Sequence, residues 1–149
     1  MRANSSAQKT PAKRRILIVD EQPLIRRGLA ILIENQPDLM VCAAAATHRA
    51  GLDAISSSRP DLVIADLSLK DSDGLGIVKK IRMRHKHLPV LLLSMHDAPI
   101  YAERAFQAGA SGYVNKQEMS ETVLIAIRRL LDGEKYLSPK TEEDTLGHK

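Results

Sequence analysis

One cysteine, Cys42, stands in a chain of 149 residues, so no intrachain disulfide can form and a reducing compartment is the natural setting. Cys42 itself reads as a small apolar residue of a buried strand. No apolar run approaches the roughly 20 residues needed to cross a bilayer. The opening MRANSSAQKTPAKRR has no apolar core of the secretory kind. A cytoplasmic protein is expected. That opening also lacks acid: Arg2, Lys9, Lys13, Arg14 and Arg15 make it +5, and the remaining 134 residues hold 17 basic and 18 acidic side chains, a net of −1. The overall charge of +4 therefore belongs to a polar tail and not to a folded surface. Such a tail would touch a phosphate backbone only weakly and in a salt-sensitive way. Internal repeats are absent too.

What is present is ordinary globular material, 44% hydrophobic and 27% charged, in a length that suits one domain with tails. Five short apolar runs are the expected strands: Arg15 to Asp20, Leu39 to Ala45, Asp61 to Asp66, Pro89 to Ser94 and Ser111 to Asn115. Runs that are apolar on both faces suit a parallel sheet covered on each side. Helical spacing fills the gaps. Ile25, Gly28, Leu29 and Leu32 form one stripe, ended by Asn35-Gln36-Pro37, and Leu75, Val78 and Ile81 form another after Asp73-Gly74. Tyr101, Ala102, Ala105, Phe106 and Gly109 form a third. Ser120 reads as an N-cap before Val123, Ala126, Ile127 and Leu130, with Gly133 as the stop. Thr47 to Ser58 is the weakest helical stretch. Strict β/α alternation with right-handed crossovers predicts a single doubly wound α/β domain. It would span residues 14–138, between a basic tail (1–13) and a polar tail or linker start (139–149).

In an open α/β sheet, chemistry gathers beyond the carboxyl ends of the strands. Four of the five runs end in reactive groups: Asp20-Glu21, Asp66, Ser94 and Asn115-Lys116. Three carboxylates on one rim repel unless a cation neutralises them. Mg²⁺, a hard ion content with few protein ligands and several waters, resolves the conflict. Asp66 is central, and a carboxylate can attack phosphorus to give an acyl phosphate. Phosphoryl transfer asks mainly for positioning and charge neutralisation. Mg²⁺ and Lys116 would hold two phosphoryl oxygens, and Ser94 a third.

At this point the sequence resembles the receiver domain of bacterial two-component response regulators. The marks are Val-Asp20-Glu21-Gln-Pro, Asp66-Leu-Ser68-Leu-Lys-Asp-Ser-Asp73-Gly74, Leu-Leu-Leu-Ser94 and Gln-Ala-Gly109-Ala-Ser-Gly-Tyr113-Val-Asn-Lys116. Gly133-Glu-Lys-Tyr-Leu-Ser-Pro139 is similar to the end of receivers in the LuxR/NarL subfamily, which usually carry a helix-turn-helix. The resemblance implies a flavodoxin-like (βα)5 fold with a five-stranded parallel sheet in the order 2-1-3-4-5. It implies Asp66 as phosphoacceptor, supplied by a sensor histidine kinase or a small phosphodonor. Asp20, Glu21, Asp66 and the backbone carbonyl of Ser68 would be the Mg²⁺ ligands, and Lys116 would pair with the phosphoryl group. Ser94 and Tyr113 match the family's switch pair, in which the hydroxyl moves toward the phosphate and the ring turns inward. Two positions depart from the family's habit. Lys70 stands where proline often follows the acceptor by four residues, and Gln117 follows the lysine where a cis proline is common. A non-proline cis bond would cost about 2.5–4 kcal/mol.

Bland readings stand beside these. Asp73-Gly74 is most simply a helix-starting turn, and His85 and His87, flanking Lys86, form a solvated helix end. His48, His96 and His148 have no partner pattern. Leu124 and Leu131 widen the last helix's apolar face, as either a dimer surface or a broad buried face. Competing functions fare worse. A haloacid-dehalogenase-type phosphatase wants Asp-x-Asp after the first strand, where Asp20-Glu21-Gln22 stands, and a flavodoxin-like electron carrier wants a Ser/Thr-rich loop where Gln22-Pro23-Leu24-Ile25 stands. A free-standing receiver acting through protein contacts stays open beside a piece of a transcription regulator. Self-catalysed phosphoryl transfer is expected, but no turnover enzyme. Specific DNA binding by this chain alone and a membrane partner are not expected; a homodimer on phosphorylation is possible.

Overall fold

The structure is a computed structural model and describes residues 12–69, 72–95 and 99–139. The two expected tails fall almost wholly outside these, as do Lys70, His96 and His148.

The elements alternate as their sequences require. β1 (Arg14–Val19) leads to α1 (Pro23–Glu34), β2 (Leu39–Ala45) to α2 (His48–Ser58), and β3 (Leu62–Asp66) to a small hairpin of β4 (Ser68–Leu69) and β5 (Ser72–Asp73). Then come α3 (Gly74–Arg84), β6 (Val90–Ser94), α4 (Pro99–Ala108), β7 (Gly112–Asn115), a 3₁₀ turn (Lys116–Glu118), α5 (Met119–Leu131) and β8 (Tyr136–Leu137). The main sheet runs β2-β1-β3-β6-β7-β8, with every neighbouring pair parallel. That is the expected order, extended by one short strand. β8 was not foreseen because two residues carry no periodicity to read.

Strand alternation divides the core in two. Leu17, Val19, Val63, Ala65, Leu92 and Tyr113 face α2, α3 and α4, whereas Ile16, Ile18, Ile64, Leu91, Leu93 and Val114 face α1 and α5. Both faces of the sheet are thus dry, which is why the strands read as unbroken apolar runs. Leu124 and Leu131 pack, partly buried, at the margin of the second cluster.

Two helical expectations need correction. On α1 the fully buried pair is Leu29 and Ile33, with Ile25 and Leu32 packed partly buried beside them, and of the expected stripe Gly28 alone is exposed. Ser120 does not cap α5: the helix begins at Met119, because the 3₁₀ turn after Asn115 already points the chain along the helix axis. By contrast Thr47 caps α2 as its type predicts, its Oγ1 accepting from Ala50 N at 3.0 Å.

Arg82 fastens the opposite end of the domain. Its guanidinium donates to the carbonyls of His85, Lys86, Leu88 and Gly109 at 2.7–3.1 Å, tying the end of α3 to the α4–β7 turn. Burial holds its pKa below the usual arginine value.

Gly74 starts α3 where the chain returns against the residue after Asp66. Its N–H donates to Leu67 O at 2.7 Å, and a Cβ there would lie 2.5 Å from Leu67 Cα and O. At the exposed Gly28 a Cβ would meet nothing within 4 Å. The two glycines therefore predict opposite signs. Gly74→Ala should destabilise by about 1–3 kcal/mol through backbone overpacking, and Gly28→Ala should stabilise by roughly 0.5–1 kcal/mol through helix propensity. Urea denaturation of both variants checks this; equal effects would mean that Gly74 has room.

Candidate functional site

The carboxyl ends of β1, β3, β6 and β7 form one rim, and four separate stretches of chain deliver polar groups to it. Asp20 follows β1 and is fully buried. Its Oδ1 accepts from Gln22 N at 2.9 Å, and its carbonyl accepts from Arg26 Nη1 at 2.6 Å. Glu21 follows, half-buried. Asp66 closes β3 and is buried. The register pairs Asp66 with Leu93, so Ser94 lies one step further along the adjoining strand, and Ser94 pairs in turn with Asn115. Both are buried.

Lys116 joins these pieces. Its ammonium, with a side chain only 6% exposed, lies 2.9 Å from Asp20 Oδ2 and 3.0 Å from Asp66 Oδ2. The contact with Asp66 is a directed hydrogen bond. The contact with Asp20 is not: Oδ2 is buried, close to the positive charge, yet receives no aligned donor. Burial alone would lower the Lys116 pKa, but the contacts with Asp20 and Asp66 outweigh it and raise the value above the ordinary lysine 10.5.

This arrangement matches the predicted set in part. The structure brings Asp20, Asp66 and Lys116 into direct contact and sets Glu21 and Ser94 on the same rim. Among the described residues no group of three His, Cys, Asp or Glu side chains is gathered closely enough to hold a metal ion by side chains alone. The lysine stands between the two aspartates. A hard cation still fits the donor set, since every candidate is an oxygen and the buried Asp20 Oδ2 has no aligned donor. Ser68 begins the hairpin directly after Leu67, paired with Asp73, and so places a backbone carbonyl one residue beyond the rim. Tyr113 is fully buried in the cluster with Ala102 and Ala105 of α4, its backbone paired to Leu137 of β8. A cleft of about 460 Å³ between α2 and α3, lined by Arg49, Leu52, Ile55, Lys80 and Met83 among others, includes none of the rim carboxylates.

Residues 16–128 match the family described as the response regulator receiver domain. The chain belongs to that family. A two-component response regulator of the LuxR family from Aurantimonas sp. superposes with a TM-score of 0.87 at 32% identity, covering 92% of this chain and 98% of that one. The nitrate/nitrite response regulator homologue of Haemophilus influenzae is 32% identical over 126 residues, 85% of this chain and 61% of the relative. The oxygen regulatory protein NreC of Staphylococcus epidermidis is 31% identical over 127 residues, 85% of this chain and 58% of the relative. This receiver thus spans about three fifths of the length of the curated relatives it matches.

In this receiver the position after Lys116 is resolved. No peptide bond among the described residues is cis, so Lys116–Gln117 is trans. Gln117 brings an N–H that a proline would lack, and Asn115 Oδ1 accepts it at 2.8 Å, closing the 3₁₀ turn. Ser138 Oγ accepts from Asn115 N at 3.2 Å, so β8 also holds the strand that carries Lys116.

Two contributors escaped sequence reasoning, Arg26 and His48, and Asn115 was read only as a strand end. His48, which shows no partner pattern in the sequence, has its Nε2 3.0 Å from Asp66 O in a buried setting. No motif signals such a bond, because it joins a helix start to a backbone atom 18 residues away. A polar residue directly after a capping threonine was the one available hint.

The raised Lys116 pKa has a definite sign in stability. A lysine whose folded value exceeds its unfolded value contributes stability that is complete below about pH 10.5 and is lost as pH rises through the folded value. Wild type should therefore lose stability between those two values relative to Lys116→Met, measured by thermal melts across an alkaline series. Parallel curves would mean that the ammonium is not held by the carboxylates.

Proposed function

We propose that this chain is a phosphorylation-activated receiver in which the Asp66 carboxylate accepts a phosphoryl group from a sensor histidine kinase or a small phosphodonor. The observation that carries the reading is the single ammonium of Lys116 within 3.0 Å of both Asp20 and Asp66, carboxylates that arrive from different strands. In the reaction an Asp66 oxygen attacks phosphorus, an acyl phosphate P–O bond forms, and the donor's bond to phosphorus breaks. Asp20, Glu21, Asp66 and the Ser68 carbonyl would hold Mg²⁺, which when bound neutralises phosphoryl charge that the carboxylates would otherwise repel. Lys116 then exchanges part of its contact with Asp66 for a phosphoryl oxygen, a charge-assisted hydrogen bond. Ser94, one residue beyond Asp66's partner in the sheet, offers its hydroxyl to another.

The new dianion biases a two-state element, the logic of phosphorylation switches in general. Here that element comprises Ser94, Tyr113 and the surface around α4, β7 and α5. Tyr113 is fully buried beside Ala102 and Ala105 of α4, which supports a coupling between the ring and that helix. The transfer is self-catalysed and the phosphoryl group is later lost to water; the chain turns over no separate substrate. The output is best read as transcription control through a DNA-binding part of a longer protein, because relatives are named as transcriptional and oxygen regulators and the chain covers only part of them. Dimerisation on phosphorylation would fit that output. A single cysteine fits a cytoplasmic site of action, and no helix among the described residues is long and apolar enough to cross a membrane.

Incubation with Mg²⁺ and acetyl phosphate, followed by intact mass, should give one phosphoryl adduct for wild type and none for Asp66→Asn. A persistent adduct in that variant would reject Asp66 as acceptor. Lys116→Ala should keep Mg²⁺ binding yet lose the chemical-shift changes that a beryllofluoride mimic induces around Tyr113. An unaltered response would remove Lys116 from its role.

A further inference from the structure

We infer that His48 is a positioning residue for the phosphoacceptor, holding the peptide group that follows Asp66 by a hydrogen bond from its imidazole. The inference rests on Asp66 as acceptor and adds a residue that the receiver motifs leave out.

The peptide linking Asp66 to Leu67 is a single planar unit, and its two polar atoms point to opposite sides. On one side Leu67 N donates to Leu93 O of β6 at 2.8 Å. The carbonyl must then face the β1 side. There the ladder has already ended: β1 pairs with β3 only as far as Val19 and Ala65, and Asp20 N turns away to Ala45 O of β2. Asp66 O therefore lies past the end of the β1–β3 ladder, inside a buried rim. His48 Nε2 lies 3.0 Å from it, with the residue only 2% exposed. A carbonyl oxygen can only accept, so Nε2 carries the proton.

The imidazole is itself well placed. His48 is the first residue of α2, directly after the Thr47 cap, and α2 is pressed on β1 at Gly51, where a Cβ would lie 2.6 Å from Val19 Cγ2. Cap, close helix approach and imidazole together fix the plane of one peptide. That peptide orients the Asp66 side chain on one side and starts the Leu67–Gly74 loop on the other, where Gly74 N returns to Leu67 O. Rotation of the peptide would move both the attacking oxygen and the Ser68 carbonyl. In-line attack tolerates little misplacement, so the bond should be visible in the rate of phosphoryl uptake.

The test uses the full chain with Mg²⁺ and acetyl phosphate, comparing wild type, His48→Leu and His48→Gln. Leu keeps bulk without a donor, and Gln restores an N–H of similar reach. The expected result is a maximal rate of adduct formation about tenfold lower for His48→Leu, with half-saturating acetyl phosphate unchanged, and recovery of most of the rate in His48→Gln. A merely structural role would slow both variants alike. Equal slowing, or a wild-type rate in His48→Leu, overturns the inference while leaving Asp66 as acceptor. No adduct in wild type would reject the acceptor reading itself, and the inference with it. Ring ¹⁵N NMR of the wild-type chain gives a check independent of activity and of how the variants fold. It should show His48 with a slowly exchanging proton on Nε2; a ring protonated on Nδ1 alone overturns the assignment.

Discussion

Two buried carboxylates facing one ammonium is the constraint around which this domain is arranged. Asp20 and Asp66 belong to neighbouring strands, and both point into a rim that water scarcely reaches. Lys116, from the far side of β6, brings one positive charge within 3.0 Å of both carboxylates. One oxygen of Asp20 lacks an aligned donor and Glu21 stands on the same rim, so the oxygen-rich donor set suits a further cation.

The rest of the fold serves that arrangement. Parallel strands with covered faces bring residues distant in sequence to one edge, and the register then decides which of them meet. Around the rim, each main-chain segment is held by a side chain. Arg26 holds the carbonyl of Asp20, His48 that of Asp66, and Asn115 the turn after Lys116. The chain after Asp66 is pinned by Gly74, whose missing side chain lets two backbone segments touch. The pairing of β8 with β7 places Leu137 beside Tyr113 and Ser138 beside Asn115.

How much of this was legible follows from the physics of each signal. The five main strands could be read because burial on both faces demands unbroken apolar runs, and the acidic pair, Asp66, Ser94 and Lys116 because strand ends in such a sheet share one edge. The stripe of α1 holds at Ile25, Leu29 and Leu32 and fails at Gly28, which has no side chain to bury. Ser120 satisfied the composition of a cap, but a cap residue must itself be extended, and here the helix has begun at Met119 after a 3₁₀ turn. His48 was unreadable because its partner is a backbone carbonyl 18 residues away, past the end of the β1–β3 ladder. Asn115 was legible as a strand end but not as the acceptor of the Gln117 N–H.

The most direct test replaces Mg²⁺ with Mn²⁺ and follows paramagnetic broadening of backbone amides in the unphosphorylated chain. If the oxygen-rich rim beside Lys116 is the cation site, signals from Asp20, Glu21, Asp66 and Lys116 should vanish first, while those of the Arg82 anchor at the opposite end survive. Asp20→Asn should weaken the effect. Broadening centred anywhere else, or unchanged broadening in that variant, would contradict the account.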